Sequence, residues 1–142
     1  MDTALDTPLR FVIHSDFAEG RQVQHAILEE ITRHHFGSDA TFAIRLALEE
    51  ALINAIKHGN KFDPNKVVRV EASITPQVAE IIIEDEGTGF QRACIPDPTT
   101  DENVERLHGR GVMLIESYMD EVNWQSGGRR IRMVRRNDDA GR

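Results

Sequence analysis

A chain of 142 residues, 39% hydrophobic and 29% charged, has the size and make-up of one globular domain able to bury a core without disulfide staples or a structural metal. Its 24 acidic against 17 basic residues leave a net charge of -7, which repels phosphate backbones and makes direct nucleic-acid binding a poor expectation. No apolar run approaches the ~20 residues of a membrane span, Met1 to Arg10 lacks the basic-then-apolar order of a secretory signal, and the single Cys94 suits a reducing compartment. The expectation is therefore one cytoplasmic domain over 1–142.

In chain order, Leu9 to Ser15 alternates in part and predicts a strand. Glu19 to Phe36 carries Val23, Ile27, Leu28 and Ile31 at helical spacing, with Gly37 as the expected stop. Ser38 and Asp39 are good N-cap types for a second helix, which runs to His58 and closes at Gly59 and Asn60. That helix is apolar enough, from Phe42 through Ile56, to require burial. Asp63-Pro64-Asn65 marks a turn, Val68 to Ile74 alternates as a strand, and Val78 to Glu84 returns after Pro76. Residues from Asp85 to Gly111 form a long polar connection rich in Gly, Pro and Thr, read as a lid over about 90–110. Val112 to Met119 predicts a short helix, and Glu121 to Gln125 with Arg130 to Arg135 a hairpin closed at Ser126-Gly127-Gly128. The sum is an α+β two-layer sandwich, a mixed or antiparallel sheet with helices on one face.

Three segments carry candidate chemistry. In Glu49 to Asn60, Glu50 and Asn54 stand at i and i+4, one turn apart on one face, with Lys57 or His58 continuing the line. An Asn oxygen is a hard neutral ligand suited to Mg²⁺ held mainly by phosphate and water, and a carboxylate one turn away can act as a base; taken alone, the helix favours the plainer reading of a wet polar face. Asp85-Glu86-Gly87-Thr88-Gly89-Phe90 puts a carboxylate where a strand meets a glycine-rich turn. Such a carboxylate can accept from an exocyclic amino group while the glycines admit a base or ribose, although turns after strands use Asp and Gly as readily for conformation alone. His108-Gly109-Arg110-Gly111 opens an apolar helix, whose free N–H groups make an anion site suited to triphosphate; the alternative is a hinge.

Together and in this order, Glu50-Ala51-x-x-Asn54-Ala55-x-x-His58-Gly59-Asn60, Asp85-x-Gly87-x-Gly89-Phe90 and Gly109-Arg110-Gly111-x-x-Leu114-Ile115 resemble the N, G1 and G2 boxes of the Bergerat-fold, histidine-kinase-like ATPase superfamily. Within it the resemblance is to the anti-sigma factor serine kinases, over roughly Leu9 to Val134. It implies ATP held between helices and lid with Mg²⁺ on the phosphates. Carried over by position, Asn54 would be the Mg²⁺ ligand, Glu50 the general base and Asp85 the adenine contact. Gly87, Gly89, Gly109 and Gly111 would form the backbone cradle, with His58 and Arg110 as further nucleotide contacts. The implied partners are a sigma factor and an antagonist protein whose serine is phosphorylated, and the implied assembly is a homodimer. Many members place Ser or Thr after the glycines of the last hairpin, where a hydroxyl assists adenine recognition; this chain has Gly127-Gly128-Arg129-Arg130.

A second function class fits the same boxes: a non-catalytic module whose nucleotide orders the lid and switches a partner surface. Retention of Glu50 favours the kinase. A histidine-kinase catalytic domain would need a separate phosphoacceptor, because no heptad segment stands at the N-terminus. The arginines of the last hairpin and tail read as a solvated strand face, or as a docking place for an acidic partner.

Overall fold

The computed structural model describes residues 8–87 and 109–138, and backbone alone at 109 and 110. Strand β1 spans Leu9–His14, helix α1 Phe17–Arg33, helix α2 Ser38–Ile53, strand β2 Val67–Ile74, strand β3 Val78–Glu84, helix α3 Gly109–Tyr118, strand β4 Glu121–Gln125 and strand β5 Arg130–Arg136. The sheet is five-stranded in the order β1-β2-β3-β5-β4, and every neighbouring pair is antiparallel, which resolves the mixed-or-antiparallel alternative. The lid reading over about 90–110 falls almost wholly outside the described residues.

Alternation along the strands decides which face is covered. In β2, Val68, Val70, Ala72 and Ile74 are buried, and in β3 Ala79, Ile81 and Ile83, with Ile131 and Met133 of β5 continuing the surface. Against it pack Val23, Ile27 and Ile31 of α1 and Ile44, Ala47, Leu48 and Ala51 of α2, with Ile115 from α3. Burying this many aliphatic side chains, each worth about 1.5–3 kcal/mol, is the main force holding the layers together.

The other sheet face carries ion pairs across the register: Arg10 with Glu71, Arg130 with Glu84, and Arg132 with both Glu80 and Glu121. Arg135 pairs with Asp138 and Arg136 with Glu121. The hairpin arginines are thus largely matched within the sheet and its tail, as the solvated-face reading expects.

Two helix boundaries differ from the sequence expectation. Helix α1 does not run on to Gly37: its C-cap is His34, and His35 takes the left-handed conformation with φ 61°, a conformation His tolerates better than most residues. Gly37, extended at φ -67° and ψ 169°, is instead the N-cap of α2, with no side-chain cap. Ser38 and Asp39 therefore sit inside the first turn, where the Asp39 charge still favours the helix dipole. The Gly37 N–H donates to Asn137 Oδ1, 3.0 Å away.

The far end of α2 also departs from a plain α-helix. From Asn54 to Gly59 it widens into a π-helical turn with Asn60 as its C-cap. Single π turns inside helices recur at functional sites because they redirect side chains out of the regular 3.6-residue spacing. Here the turn carries the last polar residues of the first motif.

Candidate functional site

Glu50 lies in the last α-helical turns of α2, half-buried. Burial, and secondarily the charge of Glu49, raises its carboxyl above the ordinary range, which makes it a better proton acceptor than a solvated carboxylate. Helix α3 passes directly above it. A Cβ added at Gly111 would stand 2.8 Å from Glu50 Oε1, so the bare backbone of the third motif reaches the carboxylate of the first. The helix of that third motif begins earlier than Val112, at Gly109. Gly109 to Gly111 therefore form helical backbone and not a loop before it.

One turn beyond Glu50, Asn54 is buried at 8% exposure. Its Oδ1 has no hydrogen-bond partner among the described residues. A buried acceptor without a donor costs on the order of 1–3 kcal/mol, so an unmatched oxygen beside a carboxylate is a feature that asks for a ligand. An amide oxygen can coordinate a hard cation or accept from a bound donor. Among the described residues, no three His, Cys, Asp or Glu side chains gather to hold a metal.

The second motif begins at the end of β3. Asp85 is 6% exposed, and burial pushes its carboxyl up to about 6, partly offset by the Gly87 N–H and the nearby Arg129 charge. The Gly87 N–H donates to Asp85 Oδ1 at 2.7 Å, and the Asp85 N–H donates to the Arg129 carbonyl at 2.9 Å. The altered last hairpin thus meets Asp85 through its backbone, while the Arg129 side chain is exposed and donates to the Ser126 carbonyl. Ser126, Gly127 and Gly128 all have positive φ, at 53°, 68° and 96°, a tight turn that two glycines make inexpensive.

The first and second motifs abut at two glycines. A Cβ at Gly59 would lie 2.4 Å from Asp85 Oδ2, and a Cβ at Gly87 only 2.0 Å from the Gly59 carbonyl oxygen. Gly59, which the sequence places at the helix end and in the first motif without a stated role, is therefore a required close approach. His58 sits half-buried on the same turn, and burial, with the Lys57 charge, lowers its pKa, which favours the neutral ring. Gly89 lies outside the described residues, as does the side chain of Arg110.

Within the described residues, the fold brings Glu50 to Gly111 and joins Gly59, Asp85 and Gly87. Residues 13–135 match the histidine kinase-like ATPase domain. The chain belongs to the histidine kinase-like ATPase domain family. Among curated relatives, it is 38% identical over 91 residues to an anti-sigma F factor from Geobacillus sp. (strain WCH70), covering 62% of each chain. It is 40% identical over 87 residues to one from Halalkalibacterium halodurans, covering 59% of each. An anti-sigma F factor from Clostridium perfringens is 39% identical over 82 residues, covering 56% of this chain and 58% of that one. The matched segments thus span about three-fifths of these relatives. A crystal structure of the RsbU and RsbW domains of Rv1364c from Mycobacterium tuberculosis aligns with TM-score 0.58 at 14% identity, covering 92% of this chain and 31% of that chain. That likeness bears on the fold, and it agrees with the α+β antiparallel sandwich derived from the strands. Among the described residues of this histidine kinase-like ATPase domain, no helix is long and apolar enough to cross a membrane.

Proposed function

We propose that this histidine kinase-like ATPase domain is an anti-sigma factor with protein-serine kinase activity that uses ATP with Mg²⁺. The observation that carries the reading is the pairing of Glu50, its carboxyl raised by burial and overlain by Gly111, with the buried, unmatched Oδ1 of Asn54 one turn away. That oxygen fits a magnesium ion coordinated chiefly by phosphate and water, and the acidic Asp85 at the other end fits the 6-amino group of adenine.

Bound magnesium-ATP would supply the phosphoryl group and the positive charge that neutralises it. The protein's own contribution is positioning and proton transfer. Glu50 accepts the proton of the partner's serine hydroxyl as the oxygen bonds to phosphorus and ADP departs. Asn54 would hold the cation through its amide oxygen, and the N–H groups of Gly109 to Gly111, in the first turn of α3, would bind the phosphates. Asp85, as a carboxylate, accepts from adenine.

The relatives' shared name, anti-sigma F factor, supports a sigma factor as one partner; we further propose a serine-bearing antagonist protein as the other, and a homodimer as the assembly. Retention of Glu50 favours this over a non-catalytic nucleotide switch. The test is serine phosphorylation of a second protein in extract of the source cells, driven by the purified domain and labelled ATP. The reading expects new phosphoserine with the parent and none with Glu50→Gln. Equal labelling with both proteins would remove Glu50 as the base.

A further inference from the structure

Asn60, which follows the π-helical turn, is 1% exposed, and both the nitrogen and the oxygen of its side-chain amide are hydrogen-bonded. Its Nδ2 donates to Ser15 Oγ at 3.0 Å and to the Val67 carbonyl at 3.0 Å. Its Oδ1 accepts from the Glu86 N–H at 2.8 Å. The Glu86 amide is the peptide unit directly after Asp85. At the neighbouring residue, Gly59, an added Cβ would stand 2.4 Å from Asp85 Oδ2, so only a bare glycine backbone fits beside that carboxylate. Glu86 is held from the other side as well, its carboxylate accepting from the Val67 N–H at 3.0 Å and from Arg69 at 3.3 Å. Asp85 is thereby fixed on three sides: by the Arg129 carbonyl at its own N–H, by the Gly87 N–H at its carboxylate, and by Asn60 at the next peptide.

We propose that Asn60 is a positioning residue for nucleobase selection, holding the Asp85 carboxylate in the direction from which it reads a 6-amino purine. The inference rests on the adenine reading of Asp85 given above. A short acidic side chain at a strand end can point several ways, and a hydrogen bond to a charged acceptor is sensitive to angle. A bond on the adjoining peptide removes that freedom without touching the nucleotide. A merely structural Asn60 would change stability and the affinity of all nucleotides together, whereas a positioning Asn60 changes discrimination between purines that differ at the 6-position.

The experiment is calorimetric titration with ATP and with inosine triphosphate, which carries an oxygen where ATP carries the amino group. The proteins are the parent, Asn60→Ala and Ser15→Ala. The parent is expected to prefer ATP by about tenfold or more, the worth of one charge-assisted hydrogen bond. Asn60→Ala is expected to lose about tenfold in ATP affinity while holding inosine triphosphate within about threefold, so the preference collapses. Ser15→Ala, which removes one Asn60 partner but leaves the bond to Glu86, is expected to keep the preference. Equal weakening of both nucleotides in Asn60→Ala, or loss of the preference in Ser15→Ala, would overturn the proposal while leaving Asp85 as the adenine contact. A parent without preference would overturn the Asp85 reading itself. Should Asn60→Ala not fold, hydrogen exchange at the Glu86 amide of the parent decides: ATP is expected to slow it more than inosine triphosphate does, and equal slowing overturns the proposal.

Discussion

Asn54 and Asn60 lie at the two ends of one widened helical turn and are almost equally hidden, at 8% and 1% exposure, yet their chemical states are opposite. Asn60 has both its amide nitrogen and its amide oxygen hydrogen-bonded within the protein. Asn54 leaves its oxygen unmatched among the described residues. The contrast extends to their surroundings. Around Asn60, Gly59, Asp85 and Gly87 approach closely, and the Gly87 N–H donates to the Asp85 carboxylate, so the end assigned to the nucleobase is built in advance. Around Asn54, the raised Glu50 carboxyl and the buried oxygen await a partner. On the proposed reading, such a site would bind by completing itself at the phosphate end, and its pre-built end would set which base is admitted.

The largest expected effect is at the incomplete end. Glu50→Gln should lower serine phosphorylation by about 10²–10⁴-fold, the usual worth of a general base, with ATP affinity by calorimetry unchanged within about threefold. A matching fall in affinity would make Glu50 a binding group instead.

The built end should fail in stability. Gly87→Ala drives a Cβ to 2.0 Å from the Gly59 carbonyl, backbone against backbone, and should cost about 2–4 kcal/mol in urea unfolding. Gly111→Ala meets only the tip of the Glu50 side chain, which can swing away, and should cost less than about 1 kcal/mol. Equal costs would erase the distinction.

The two asparagines sharpen it. Asn60→Ala strands the Glu86 N–H and the Val67 carbonyl and should cost about 1–3 kcal/mol, whereas Asn54→Ala removes an acceptor that has no donor among the described residues and should leave stability nearly unchanged. The same unfolding series measures both.

The smallest effect is on pH dependence. Because the folded Asp85 carboxyl is raised to about 6 from its ordinary 3.8, the folded chain holds that proton more tightly than the unfolded chain. Its contribution to stability is therefore full below about 4 and is lost as pH rises through about 6. Asp85→Asn should remove this slope, leaving the nucleotide-free domain more stable at neutral pH by about 1–2 kcal/mol, visible in thermal melts at several pH values. ATP binding should show the opposite trend, weakening as the carboxylate protonates below about 6.

Most of the fold was legible because strand alternation and helical spacing are local signals: β2, β3 and the last hairpin fall within a residue or two of their expected bounds. The α1 end was not, since His35 in a left-handed conformation mimics the stop that Gly37 promised. Glu50, Asn54 and Asp85 were legible through the order of the three motifs and the family resemblance, since each motif alone also fits a wet helix face or a plain turn. Asn60 and Gly59 were not: each looks like an ordinary helix ending, and their roles arise from contacts with Glu86 and Asp85, about 26 residues later. A signal was present in the two motif glycines, Gly59 and Gly87, which a close backbone approach would require.

Titration of the parent and of Asn54→Ala with ATP, each with and without Mg²⁺, bears most directly on the claim that the unmatched Asn54 oxygen completes a nucleotide site. The account predicts that Mg²⁺ strengthens ATP binding to the parent by about tenfold or more and that Asn54→Ala loses this dependence. A parent that binds no ATP, or a variant with the full Mg²⁺ effect, would contradict it.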